Sequence, residues 1–172
     1  MQTRDELLRF LTETEIFAPG MLPGQAHHMI RSVASNPETP CHILQRLADM
    51  TGQCDLLERV AENPSTPIEV LECLAHNSNP AVRAAVADNG NVRVQTLWEL
   101  AHDENPQVRY EMAENPRVPN EILEVLSEDD NPYVYTRARE TLHRIYDEQR
   151  SPNVFERVID WVRGGRKIRR TS

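Results

Sequence analysis

Between Val33 and Glu128 one phrase is written four times: VASNPETPCHILQRLAD from Val33, VAENPSTPIEVLECLAH from Val60, VADNGNVRVQTLWELAH from Val86 and MAENPRVPNEILEVLSE from Met112. Its asparagine column, Asn36, Asn63, Asn89 and Asn115, advances by 27, 26 and 26 residues. The alanine column Ala34, Ala61, Ala87, Ala113 and the leucine column Leu47, Leu74, Leu100, Leu126 advance identically. A fixed period in this range restricts a chain to stacked supersecondary units, each too small to bury its own apolar side. Only 5% of the residues are aromatic against 39% hydrophobic overall, which suits a thin core of small aliphatics.

Each unit reads as two short helices. In the third unit the first helix is predicted from Pro80 to Ala87, with Asn79 as its cap and Pro80 at the first helical position, where no amide partner is lost. Asn-Pro recurs in the same role at Asn105-Pro106 and Asn131-Pro132. The first helix should stop at Asn63-Pro64 and its equivalents, because the residue before proline is pushed out of helical dihedrals. The second helix is predicted to start at Thr66-Pro67, with Thr66 and Glu69 forming a reciprocal capping box. Its apolar columns are Ile43/Val70/Thr96/Ile122, Leu44/Leu71/Leu97/Leu123 and the leucine column above. The first helix contributes Leu56/Val82/Val108/Val134 and Val60/Val86/Met112. Spacings of one, three and four put these on single helical stripes. The expected fold is an all-α solenoid of about four to five 26-residue two-helix repeats, capped at both ends.

VAENPSTPIEVLECLAH followed by NPAVRAAVADN resembles the leucine-rich repeat variant family, a HEAT-like helical repeat, from roughly Met29 to Asn131. The resemblance implies an α-helix paired with a short 3₁₀ helix in each repeat and a right-handed superhelix. It names no reaction. One member carries an iron–sulphur cluster on cysteines ahead of the repeats; this chain has no cysteine before Cys41, so that activity does not carry over. Unit three departs from the pattern, with NGNVR where the others have Asn-Pro and a second proline, leaving Arg93 to start its second helix with less constraint. Repeats slightly longer than those expected of the family give the second helix room to be α-helical.

Residues 1–27 read as an N-terminal cap helix and loop, opened by Thr3 and Glu6 and carrying Leu7, Leu8, Phe10 and Leu11. Residues 28–146 read as the solenoid. Residues 147–172 read as an amphipathic helix, begun by Ser151-Pro152 and ended by Gly164-Gly165, with a basic tail. From Asp147 onward seven bases face four acids, a net +3 that leaves −11 for residues 1–146 of a chain whose total is −8. No apolar run approaches the ~20 residues a bilayer span needs. The opening MQTRDELLRF lacks a signal-peptide core, and three cysteines outside CxxC spacing do not suggest a disulfide framework. The expectation is a cytoplasmic protein with reduced thiols.

No catalytic set stands out: GxSxG, a glycine-rich phosphate loop and HExxH are all absent from the sequence. We therefore expect a non-enzymatic module with no cofactor. The acids in turns such as HDEN and SEDDN read as a solvated edge. His76 and His102 share a column, with Cys73 one turn before His76, which would be a zinc-type set if stacking joined them. Asp49 and Glu128 in that column favour plain polar surface. Cys41 and Cys54 read as small packing residues. Arg83 and Arg109 share a first-helix column and are either a rib for an acidic partner or a ladder to acids such as Asp103. Trp98 sits in a column otherwise polar (Gln45, Glu72, Glu124), as a contact anchor near Tyr110 or as a cover for the Gly90 turn. Phe155, Ile159 and Trp161 of the last helix, with Arg166, Lys167, Arg169 and Arg170, complete the candidate partner surface. The expected partner is a protein; a nucleic acid or anionic membrane would engage the basic tail, and self-association through the solenoid ends is open.

Overall fold

The computed structural model describes residues 23–51 and 53–150. Among these the chain is wholly helical: α1 (Pro23–Ser35), α2 (Cys41–Met50), α3 (Cys54–Glu62), α4 (Ile68–Leu74), α5 (Pro80–Asp88), α6 (Val94–Leu100), α7 (Pro106–Glu114), α8 (Asn120–Leu126) and α9 (Pro132–Arg150). The predicted N-terminal cap helix, the Ser151 start and the basic tail lie outside the described residues.

First and second helices alternate along the chain but form two unlike layers. The first helices α1, α3, α5, α7 and α9 pack each directly on the next, and the second helices wedge against the first helices that flank them. The alanine column permits this close approach: Ala34, Ala61, Ala87 and Ala113 are all buried. Every predicted apolar column is buried, including Thr96 on the second-helix stripe, and together they make one continuous core. A helix of seven residues is unstable alone, so α4, α6 and α8 are held by this burial rather than by propensity.

The cap logic holds for first helices. Asn79 and Asn105 accept the amides of Ala81 and Gln107 at 2.9 and 2.8 Å, each with proline next in the chain. It fails for second helices. α4 starts at Ile68, one residue later than predicted, with the Pro67 carbonyl as its first acceptor and no side-chain cap. The Thr66 hydroxyl turns back to donate to the carbonyl of Val60 in α3, as Thr39 does to Val33 at 2.6 Å. The capping box is therefore overturned: the end of one helix competes for the hydroxyl and wins it from the start of the next. The second helices are α-helical and not 3₁₀, with Leu71 donating to Pro67 and Ala75 to Leu71. Arg93 takes the same extended cap conformation as the proline it replaces, at φ −72° and ψ 147° beside −60° and 148° for Pro67.

The asparagine column explains its own recurrence. Each Oδ1 accepts the amide two residues on and closes the turn, as Asn63 does for Ser65 and Asn89 for Asn91 at 2.9 Å. Each Nδ2 reaches back one unit. Asn63 donates to the carbonyls of Ala34 and Asn36 at 2.7 and 2.8 Å, and Asn89 to those of Ala61 and Asn63 at 2.6 and 2.9 Å. Only a side chain carrying both a donor and an acceptor can do this. The last rung differs, because Asn115 donates to the Asp88 carboxylate.

Candidate interaction groove

The two column arginines are internal braces. Arg83 grips Asp103 with two bonds, Nε to Oδ2 at 2.6 Å and Nη2 to Oδ1 at 2.7 Å, while Nη1 donates to the Asn77 carbonyl at 2.8 Å. Arg109 repeats the arrangement on Asp129 at 2.7 and 3.0 Å and on the Asp103 carbonyl. Each guanidinium thus ties the turn before its own helix to the turn after the following one. The side chains are only 10% and 6% exposed in the first pair. Burial pushes the Asp103 and Asp129 carboxyls up, but the arginine bonds and a backbone amide outweigh it and hold both below the usual aspartate value. The same bonds raise both guanidinium pKa values. Asp103 and Asp129 are therefore structural, which corrects the solvated-edge reading for these two; Glu104, Glu128 and Asp130 in the same turns are exposed as expected.

The remaining candidates are scattered. Trp98 is 38% exposed on α6, one turn from Val94 at 49%. A side chain added at Gly90 would meet nothing within 4 Å, so Trp98 does not cover that turn. Tyr110 belongs to the other layer, on α7, where the Arg137 guanidinium of α9 stacks 5.4 Å from its ring and donates to its hydroxyl at 2.8 Å. Cys73, His76 and His102 are not gathered: His76 lies 3.9 Å from Glu99, and His102 Nδ1 lies 2.9 Å from the Trp98 carbonyl oxygen. Among the described residues no group of three metal-ligating side chains forms. Cys41 and Cys54 are exposed, not packed: each is the first residue of its helix, and the buried stripe begins two residues on, at Ile43 and Leu56. Phe155, Ile159, Trp161, Arg166, Lys167, Arg169 and Arg170 lie outside the described residues.

The feature that does concentrate chemistry is a groove of about 660 Å³ across α3, α5 and α7. Its origin is a local change of side-chain size. On the outward face of α5 the repeat places Ala81, Ala84 and Ala85, where α3 has Asp55, Glu58 and Arg59 and α7 has Gln107, Tyr110 and Glu111. Short side chains between two ridges of long ones leave a trough with an alanine floor. Its walls carry Glu58, Glu62, Asp88, Glu111 and Glu114 against one base, Arg117. Only Glu114 has a described cation near it, Arg137 at 3.8 Å; among the described residues Glu58, Glu62, Asp88 and Glu111 pair with none.

Three of these acids stand in an electrostatically unfavourable place. Glu62, Asp88 and Glu114 are the last residues of α3, α5 and α7. The C-terminal turns already carry the negative end of each helix dipole, and a carboxylate in that position is unfavourable by about 0.3–1 kcal/mol. A cation resting on the rim would reverse the sign three times over.

Residues 28–90 match the model of the Leucine Rich Repeat Variant domain. That is the resemblance the repeat phrase carries. Domains of this kind are helical repeat modules generally associated with protein interaction and typically non-catalytic. No curated protein and no solved structure matches the chain. Beyond residue 90 the alternation of first and second helices continues through α6 to α9. No helix among the described residues is long and apolar enough to cross a membrane. The groove was missed in the sequence although its rim was visible there: Glu62, Asp88, Glu114 and Glu140 advance by 26 residues each. The missing signal was the alanine set of α5, which becomes a trough only when its neighbours are stacked on either side.

Proposed function

We propose that this variant-repeat solenoid is a non-enzymatic interaction module that takes a basic segment of a partner protein along the groove of α3, α5 and α7. The observation that carries this reading is the row of carboxylates at three successive helix C-termini, unfavourable in isolation, above an apolar floor. Lysine or arginine heads would meet the carboxylates while their methylene stems cover the alanines. A phosphate backbone would be repelled by the same row, which leaves nucleic acid or an anionic membrane only the basic tail as a point of contact. Trp98 with Val94, exposed on the opposite layer, offers a second, apolar contact for the same partner.

Filling the trough tests the reading. Ala84 is half-buried at its floor, so Ala84→Trp in the full chain should fold, seen as an unchanged thermal transition, and block the site. Binding of a short Lys/Arg-rich peptide, followed by calorimetry, should weaken about tenfold or more, the effect of losing roughly 1.4 kcal/mol of contact. Equal affinity of the two proteins would remove the groove from the function.

A further inference from the structure

We infer that the groove's resident ligand is this chain's own basic segment, Arg163 to Arg170, which a partner must displace; the inference rests on the reading of the groove as a cation-binding site. The argument starts from charge. That segment reads RGGRKIRR, five bases without an acid, and the groove walls present five carboxylates and one base. Residues 1–146 hold −11 and the remainder of the chain +3, so the two halves of the match lie in one molecule. The Gly164-Gly165 pair has no side chains to hold the backbone away from the alanine floor.

Position and reach agree with the charge. α9 packs beside α7 and reaches the groove's rim: Arg137 lies 3.8 Å from the Glu114 carboxylate, and Arg144 donates to the Glu114 carbonyl at 3.5 Å. The described chain therefore leaves α9 at Arg150 on the side where Glu62, Asp88 and Glu114 stand. From α9 to α5 is two helix spacings, roughly 16–20 Å at 8–10 Å each. The 13 residues from Arg150 to Arg163 span at most about 45 Å extended and about 20 Å even as a helix. Either length suffices. A tethered segment also binds as an intramolecular ligand, at an effective concentration that a free partner of equal chemistry does not reach in dilute solution. The module is then self-covered at rest, and its availability is set by whatever competes for the groove or neutralises the tail.

The test is a photo-crosslinking residue at Ile168 in the full chain, irradiated as an equal mixture of isotopically light and heavy protein. The expected result is a cross-link within one chain, to the outward faces of α3, α5 or α7. Its yield should fall about tenfold when salt is raised from roughly 0.02 to 0.5 M, as the Debye length shrinks well below the groove's width. Asp88→Lys with Glu114→Lys should lower the yield similarly. Should that variant fail to fold, the salt dependence of the unaltered groove gives the same answer. Light-to-heavy cross-links alone would replace the inference with a second copy as occupant, and cross-links elsewhere, or none, would overturn it outright. None of those failures would stop a Lys/Arg-rich peptide from binding the groove, so the inference and the proposed function fall separately.

Discussion

Neighbouring repeats are stitched along two edges by different chemistry. At the turn inside each unit runs the asparagine ladder, neutral and buried, with Asn63 and Asn89 each donating to two carbonyls of the unit before. At the turn between units runs the arginine–aspartate ladder, charged and confined to Arg83–Asp103 and Arg109–Asp129. The equivalent of Arg83 in the preceding unit is the buried Leu57, so the earlier repeats lack this brace and are joined by apolar contact, the asparagine ladder and exposed bonds such as Arg31 to Asp55 and Arg59 to Ser35. A neutral ladder satisfies backbone carbonyls that would otherwise lie buried without donors. A charged ladder adds strength that depends on pH and concentrates carboxylates inside the protein. Of the groove carboxylates only Asp88 touches a ladder, accepting from Asn115; Glu58, Glu62, Glu111 and Glu114 belong to neither.

Breaking the neutral ladder should have the largest effect. Asn89→Asp removes the donor that Ala61 and Asn63 share and buries a carboxylate 5% exposed in its residue. A loss of about 3–5 kcal/mol is expected in urea unfolding. The charged ladder should be weaker, since Arg83 keeps the Asn77 carbonyl when its carboxylate is lost. Asp103→Asn is expected to cost about 2–3 kcal/mol at neutral pH, where the parent pair is intact. The two edges also separate by pH. Asp103 and Asp129 have folded pKa values below the usual one, so their contribution is complete above the unfolded value, about 3.9, and is lost as pH falls through the lower folded values. Urea midpoints measured downward from pH 5 should decline more steeply for the parent than for Asp103→Asn. The smallest effect sharpens the comparison by repairing it. Gly90 occupies the place of Pro64, makes the same Asn-closed turn, and has open space around it. Gly90→Pro should stabilise by about 0.5–1 kcal/mol through the unfolded chain, seen as a raised melting temperature.

Much of this was legible in the sequence, and the exceptions share a cause. Columns such as Leu44/Leu71/Leu97/Leu123 gave the buried stripes directly, because burial depends on helical periodicity alone. Asn79 and Asn105 behaved as caps, each accepting the amide two residues on at the start of a helix that proline opens. Thr66 did not, because a carbonyl of the preceding helix lay within its reach. Cys41 and Cys54 look like core by composition, yet each falls off the buried stripe that begins two residues on, at Ile43 and Leu56. The groove needed three helices side by side before Ala81, Ala84 and Ala85 meant anything. Properties of one helix can be read from its own residues, whereas properties of the gap between helices require the stacking.

The most direct measurement sets a ladder carboxylate against the groove carboxylates in one experiment. Asp103→Asn and the triple change Glu62→Gln, Asp88→Asn, Glu114→Gln are each placed in the full chain, and both melting temperature and affinity for a Lys/Arg-rich peptide are recorded at a temperature where all proteins are folded. The account predicts a crossed result: Asp103→Asn melts earlier and binds as the parent does, while the triple variant melts no earlier than the parent and loses binding about tenfold or more. A triple variant that keeps its peptide, or one that unfolds while Asp103→Asn does not, would contradict the division of the acids into those that hold the fold and those that bind.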